Sequence, residues 1–484
     1  MEIVDSTIKQ RSVKGLKWMT SADLVARLLQ LGVSIVLARL LGPTVFGIFG
    51  VCLILLKLVG MVGDLGFGVV IIQRETLTEK LINSASVLCV LVSGALTVGC
   101  FISADYLYSF FPYGDLPKVL RAFSFVLVLE GFSIILRALF IRELRFPALS
   151  VIQLLAIVAG SAISLILAFS GFALWSLIVG LYAETILKVG LFTIFGNHSF
   201  RPRIDRVSLK ENKGYAFKIL QTRAAYFLNM NIGALLVGRF LGADYLGFYV
   251  VAYGIMDAPV QRISKNVGIV SFAALSKFQS NILEFAKMYR SILHYYSLVI
   301  FALFIGIIVV SREFVVSFYG SAWQDMVVPL RLLCIAGIFR SLLVISSSSF
   351  IALNRVETEI GISYGQSMLM VVFVPLMLHY GISGACLGVV GAHAVGYILS
   401  LVALSSFFKE GWTKGFSHLY YSAVPSGVML LTWFAIDIFL RNNLDTVMLL
   451  VTNIMICGIT FVLTVWLMDR TVFSQIRRFI MTGS

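Results

Sequence analysis

Ala38-Arg39-Leu40-Leu41-Gly42-Pro43-Thr44-Val45-Phe46-Gly47 returns 200 residues later as Gly238-Arg239-Phe240-Leu241-Gly242-Ala243-Asp244-Tyr245-Leu246-Gly247. Self-similarity at so long a period marks two copies of one structural unit, and membrane transporters are often built from such duplicated halves. Gly42 and Gly242 stand where a helix should end, because glycine accepts the backbone turn just past a helix C-terminus. Pro43 does not easily continue that helix. Arg39 and Arg239 lie near the same helix ends, where a cation meets the negative end of the dipole. Gly47 and Gly247 complete the motif, which reads as architecture and not as chemistry.

The composition says what the duplicated units are made of. Of 484 residues 59% are hydrophobic and only 13% charged, against about 45–50% and 25% in soluble domains. A membrane crossing needs about 20 apolar residues, and the chain reads as about fourteen such spans, centred near residues 29, 54, 94, 130, 159, 184, 226, 259, 300, 338, 369, 395, 428 and 457. Little is left for a soluble catalytic domain. The fold class expected is an all-α polytopic membrane protein, with two parallel six-helix repeats and two C-terminal helices. The boundaries expected are 1–200 for the first lobe, 201–214 for a basic cytoplasmic loop, 215–408 for the second lobe and 409–484 for the extra helices and tail.

Weaker echoes keep the register. Phe140-Ile141-Arg142-Glu143-Leu144-Arg145 lines up with Phe350-Ile351-Ala352-Leu353-Asn354-Arg355, and Leu120-Arg121 with Leu330-Arg331, both at an offset of 210 residues. Six spans per half is an even number, so the halves enter the membrane in the same orientation and enclose a central cavity.

The net charge of +14 raises nucleic acid as a partner, and its distribution argues against that. Lys and Arg concentrate in alternate loops, most densely at Arg201, Arg203, Arg206, Lys210, Lys213 and Lys218. That is the positive-inside pattern, and it places both termini in the cytoplasm. Anionic lipid headgroups satisfy the run between the sixth and seventh spans. The first apolar stretch, interrupted by Asp23 and Arg27, is too long for a signal-peptide core and reads as an uncleaved span. The six cysteines lie within spans without a C-x-x-C pair, so neither a disulfide nor a metal site is expected. The aromatic stretch from Tyr106 to Tyr113 reads as a belt at the membrane interface.

Charges inside the spans cost on the order of 2.5–3.5 kcal/mol each at mid-membrane, and such residues face a bundle interior or a watery cavity. Asp23 with Arg27, and Glu184 with Lys188, stand one helical turn apart and can neutralise each other. Arg137, Lys188, Arg262 and Lys265 lie toward inner span ends, within reach of the surface. Arg27, Arg223 and Arg340 lie nearer mid-span, and cations outnumber acids. A positive cavity suits a phosphate-bearing passenger, because guanidinium donates two parallel hydrogen bonds to it. The candidate substrate-binding residues are therefore Arg27, Arg223, Arg262 and Arg340. Glu130 and Asp257, with Asp23 and Glu184, are candidates for ion coupling or gating, with plain pairing to neighbouring cations as the simpler role for Glu130 and Asp257. Glu130 falls opposite Arg340 at the 210-residue offset.

There is no G-x-x-x-x-G-K-[ST] loop for nucleotide and no H-E-x-x-H among the five histidines. No metal and no cofactor is expected, and an H⁺ or Na⁺ gradient stays open as the driving force. Gly63-Asp64-Leu65-Gly66-Phe67-Gly68 is glycine-rich but ends a span and follows no soluble strand.

Leu37 through Pro43, Phe46-Gly47-Ile48-Phe49-Gly50, Asp64-Leu65-Gly66-Phe67-Gly68 and Gln73-Arg74 together resemble the opening of Wzx-type polysaccharide-unit flippases, within the multidrug/oligosaccharidyl-lipid/polysaccharide exporter superfamily. The similarity is to the colanic acid-like exopolysaccharide branch. It implies a V-shaped pair of six-helix lobes with two extra helices. It also implies gradient-driven alternating access that moves an undecaprenyl-pyrophosphate-linked oligosaccharide across the bacterial inner membrane, for exopolysaccharide or lipopolysaccharide synthesis. The partners implied are that lipid-linked glycan, membrane lipids, and a polysaccharide polymerase with its chain-length machinery. Two alternatives remain: a drug/cation antiporter of the same superfamily, which wants an acid-dominated cavity, and a membrane glycan polymerase or ligase, which needs a sizeable reactive outer loop.

Overall fold

The computed structural model describes residues 2–74, 77–196, 205–408, 419–441 and 443–469, without side chains at 2–24, 27, 59, 206–213, 215–219, 222, 225 and 226. The described chain is helical almost throughout. Among the described residues ten stretches are long and apolar enough to cross a membrane. Two of them, Leu28–Gly63 and Val356–Phe408, each carry two of the expected crossings. The expected crossing near residue 226 falls on the helix at 206–241, where Phe227–Leu241 is a shorter apolar stretch among the described residues, and the one near residue 259 falls where Asp257, Arg262 and Lys265 interrupt the apolar run.

The chain divides into two compact units, residues 1–231 with 241–247, and residues 232–240 with 248–484. The first holds α1 (Glu2–Gly63), α2 (Phe67–Gln73), α3 (Glu79–Ile102), α4 (Ala104–Phe110), α5 (Leu116–Arg142), α6 (Phe146–Phe169), α7 (Ala173–Phe195) and most of α8 (Arg206–Leu241). The second holds most of α9 (Ala243–Pro259), then α10 (Lys265–Ser276), α11 (Ile282–Phe314), α12 (Val327–Ala352), α13 (Val356–Met377), α14 (Gly381–Phe408), α15 (Tyr420–Leu440) and α16 (Thr446–Met468).

The repeat is written in the backbone. Gly42 leaves the helical region at φ 76° and ψ 172°, so α1 bends there, and Gly242 separates α8 from α9 at φ 100°. Positive φ is the conformation for which glycine is the cheapest residue. α5 and α12 close identically. Arg145 N–H donates to Phe140 O at 3.0 Å and Leu144 N–H to Ile141 O at 3.1 Å; 210 residues on, Arg355 donates to Phe350 at 2.8 Å and Asn354 to Ile351 at 3.0 Å. Leu144 and Asn354 share positive φ, 54° and 57°. This is the paired closure of a Schellman-type C-cap. Gly171 and Gly381, also 210 residues apart, take φ 85° and 68°.

Gly47 and Gly247 do something the turn reading does not foresee. Both sit inside helices, and each backs onto the other motif: a Cβ on Gly47 would strike the Ala243 carbonyl, and one on Gly247 the Pro43 carbonyl. Thr44 donates a hydrogen bond to Asp244 beside them. The echoed residues are therefore contact partners within the first unit. Overpacking such a contact costs about 1–3 kcal/mol. Gly47→Ala and Gly247→Ala are each expected to lower the melting temperature in detergent. Gly94→Ala, where no atom lies within 4 Å of the added carbon, should leave it unchanged or raise it.

Candidate functional site

Each unit encloses paired charges. In the second, α9 runs through Tyr249, Tyr253 and Asp257 and then widens to a π-helical turn at Val260–Ser264. Such widened turns re-aim side chains and recur at functional sites. Arg340, midway along α12, pairs with Asp257 at 2.7 Å. It also donates to the Tyr253 hydroxyl at 3.1 Å, with its guanidinium carbon 5.7 Å from that ring's centre. Tyr249 stacks on Tyr253 at 5.8 Å. Gln261 donates to Asp257 from the π turn at 3.3 Å, and Ser264 donates to Ser341 at 3.1 Å, fastening that turn to α12. The Arg340 side chain is 8% exposed and that of Asp257 27%.

In the first unit the α1–α2 junction does the corresponding work. Asp64, whose side chain is 8% exposed, accepts from Gly68 N–H at 2.6 Å and so caps α2. The same carboxylate binds Arg223 of α8. Arg223 keeps 37% of its side chain exposed, so it is a guanidinium oriented by a fixed carboxylate and still open to a ligand. A second pair joins Lys188 of α7 to Glu130 of α5, and Ser133 donates to the same carboxylate at 2.9 Å.

Lys188 thus reaches across to Glu130, while its charge also acts on Glu184 one turn back along its own helix. Arg262 is half-buried on the π turn, while Arg137 and Lys265 are exposed, as residues near span ends should be. Arg39 is exposed and Arg239 occupies the last turn of α8. The side chains of Asp23 and Arg27 lie outside the described residues. The pairing of Glu130 and Asp257 with neighbouring cations is what the structure displays.

The register of the turns exposes a pattern beyond the opposition of Glu130 and Arg340. At the 200-residue offset Asp23 stands opposite Arg223 and Lys57 opposite Asp257. Three intramembrane positions therefore carry opposite signs in the two repeats. At these three positions the repeats differ in sign, whereas Arg39 with Arg239 and Arg121 with Arg331 keep theirs.

Fold and paired charges together describe a polytopic, all-helical membrane protein of duplicated architecture. The chain belongs to the polysaccharide biosynthesis protein family, whose model matches residues 36–328. It is 25% identical over 395 residues to the lipopolysaccharide biosynthesis protein WzxC of Escherichia coli (strain K12), covering 81% of this chain and 79% of that one. It is 24% identical over 420 residues to the teichuronic acid biosynthesis protein TuaB of Bacillus subtilis (strain 168), covering 84% and 86%. Among solved structures it resembles the lipid II flippase MurJ in an inward closed conformation, with a TM-score of 0.76, 15% identity and 94% and 99% of the two chains covered. An inward-facing multidrug resistance MATE family transporter of the MOP superfamily matches at a TM-score of 0.61, with 17% identity and 79% and 96% covered. At these identities the two structures speak for the fold alone.

Proposed function

We propose that this chain is a Wzx-type flippase that moves an undecaprenyl-pyrophosphate-linked oligosaccharide repeat unit across the bacterial cytoplasmic membrane by alternating access. The product feeds exopolysaccharide or lipopolysaccharide synthesis. The observation that carries the reading is Arg223. It is a half-exposed intramembrane guanidinium, anchored by the capped carboxylate of Asp64, in a protein of a polysaccharide biosynthesis family. A pyrophosphate in a low-dielectric site is best met by such a planar, oriented donor. Arg27, Arg262 and Arg340 are the further cations proposed as phosphate ligands. Arg340 becomes available when Asp257 releases it, so binding by Arg340 and breakage of that pair are one event.

The chain acts as a transporter and leaves its passenger covalently unchanged. Both termini lie in the cytoplasm on the positive-inside distribution. A polysaccharide polymerase and chain-length machinery receive the flipped unit. A drug antiporter is disfavoured by the excess of cations among the intramembrane charges. Deletion of the gene tests the reading: completed repeat units should accumulate on lipid pyrophosphate at the cytoplasmic face. Normal lipids with altered drug tolerance would shift the assignment to the antiporter.

A further inference from the structure

By the positive-inside orientation, the outer end of the second unit holds a buried acid that belongs to none of the ion pairs described above. Glu313, in the last turn of α11, is 3% exposed, and its Oε2 has no hydrogen-bond partner. Among the described residues no cation lies within 4.0 Å of it. The charges that act on it are Arg312 on its own helix, Arg331 on α12 and Asp437 on α15. Each is engaged elsewhere or only near it. Arg331 Nε donates to Ser311 Oγ at 2.7 Å, and its guanidinium carbon sits 4.9 Å from the centre of the Trp433 ring. Asp437 pairs with Arg441 at 3.0 Å.

The repeat shows how this arrangement differs from its counterpart. Arg331 stands opposite Arg121 at the 210-residue offset, and Arg121 pairs with Asp105, which is exposed. In the second unit α15, which the duplication does not explain, brings Trp433 over Arg331. The equivalent of a surface ion pair has become a covered cluster containing a carboxyl with one unpartnered oxygen. A buried carboxylate without a cation is costly, and uptake of a proton removes the charge.

We propose that Glu313 is a proton-binding site, separate from the Arg223 and Arg340 sites, whose loading and release from the outer side couple the proton gradient to the conformational cycle. The proton adds to a carboxylate oxygen on loading and returns to water on release, so nothing else is consumed. That this proton drives flipping rests on the proposed function; that Glu313 binds it does not.

Two measurements separate these claims. The first is infrared pH-difference spectroscopy of the purified full chain in lipid nanodiscs. The wild type should show a carbonyl band of a water-shielded carboxylic acid that follows pH, absent in Glu313→Gln and retained in Asp437→Asn. Identical spectra for wild type and Glu313→Gln would overturn the site. The second uses proteoliposomes containing lipid-linked oligosaccharide extracted from a deletion strain, with and without an imposed pH gradient. The gradient should accelerate flipping by the wild type and leave Glu313→Gln at its ungraded rate. A variant accelerated like the wild type overturns the coupling while leaving the site. Equal thermal melting of variant and wild type shows that the neutral isostere folds.

Discussion

Arg340→Ala is expected to abolish export and to destabilise the protein by about 3 kcal/mol, the low end of the 3–5 kcal/mol that follows loss of one partner from a buried pair. The low end applies because Asp257 retains 27% exposure and water can reach the charge left behind. The substitution also strips Tyr253 of its hydroxyl partner and of the cation against its ring. The two consequences separate in a double variant. Arg340→Met with Asp257→Leu replaces the pair by apolar side chains of similar volume, an exchange that is often neutral for stability. It should restore the melting temperature and the amount of protein in the membrane, yet export no polysaccharide. Recovery of export by the double variant would reduce the pair to a fastener.

Arg223→Ala should also lower stability, because it strands the carboxylate of Asp64, whose side chain is 8% exposed and retains the bond from Gly68. The passenger loses a charge-assisted hydrogen bond, worth about 1.5–3 kcal/mol, or about 10- to 100-fold in affinity. Export should collapse by more than membrane abundance falls, as read by immunoblot beside polysaccharide yield. Arg223→Lys keeps the charge but loses the planar fork, and should recover only part of the yield. Full export by Arg223→Ala would remove this residue from the binding site.

Much of the scaffold is legible in the sequence because it rests on short-range rules. Gly42 and Gly242 announce their turns, and the Phe140 and Phe350 segments announce helix ends that close with the same hydrogen bonds. The site is less legible, because its pairs join distant segments. Arg223 stands out as an intramembrane cation, but its partner Asp64 lies 159 residues away in a glycine-rich junction that reads as a mere span end. Lys188 has an acid one turn away on its own helix, and only the approach of α5 to α7 shows that it also meets Glu130, 58 residues away. Glu313 escapes because it lies past the end of a crossing of about 20 residues centred near residue 300, whereas helical structure runs on through a π turn to Tyr319. Gly47 and Gly247 look like parts of a turn until the two motifs are seen to pack on each other.

Reconstituted flipping tests the central claim most directly. The purified chain is placed in proteoliposomes whose inner leaflet carries lipid-pyrophosphate-linked oligosaccharide from the deletion strain, and the glycan's exposure to an external lectin is followed. The account predicts that the inner pool becomes accessible with its mass unchanged, and that Arg223→Ala vesicles keep it hidden. A pool that stays inaccessible with the wild type, or one that emerges with lengthened glycan, would contradict it.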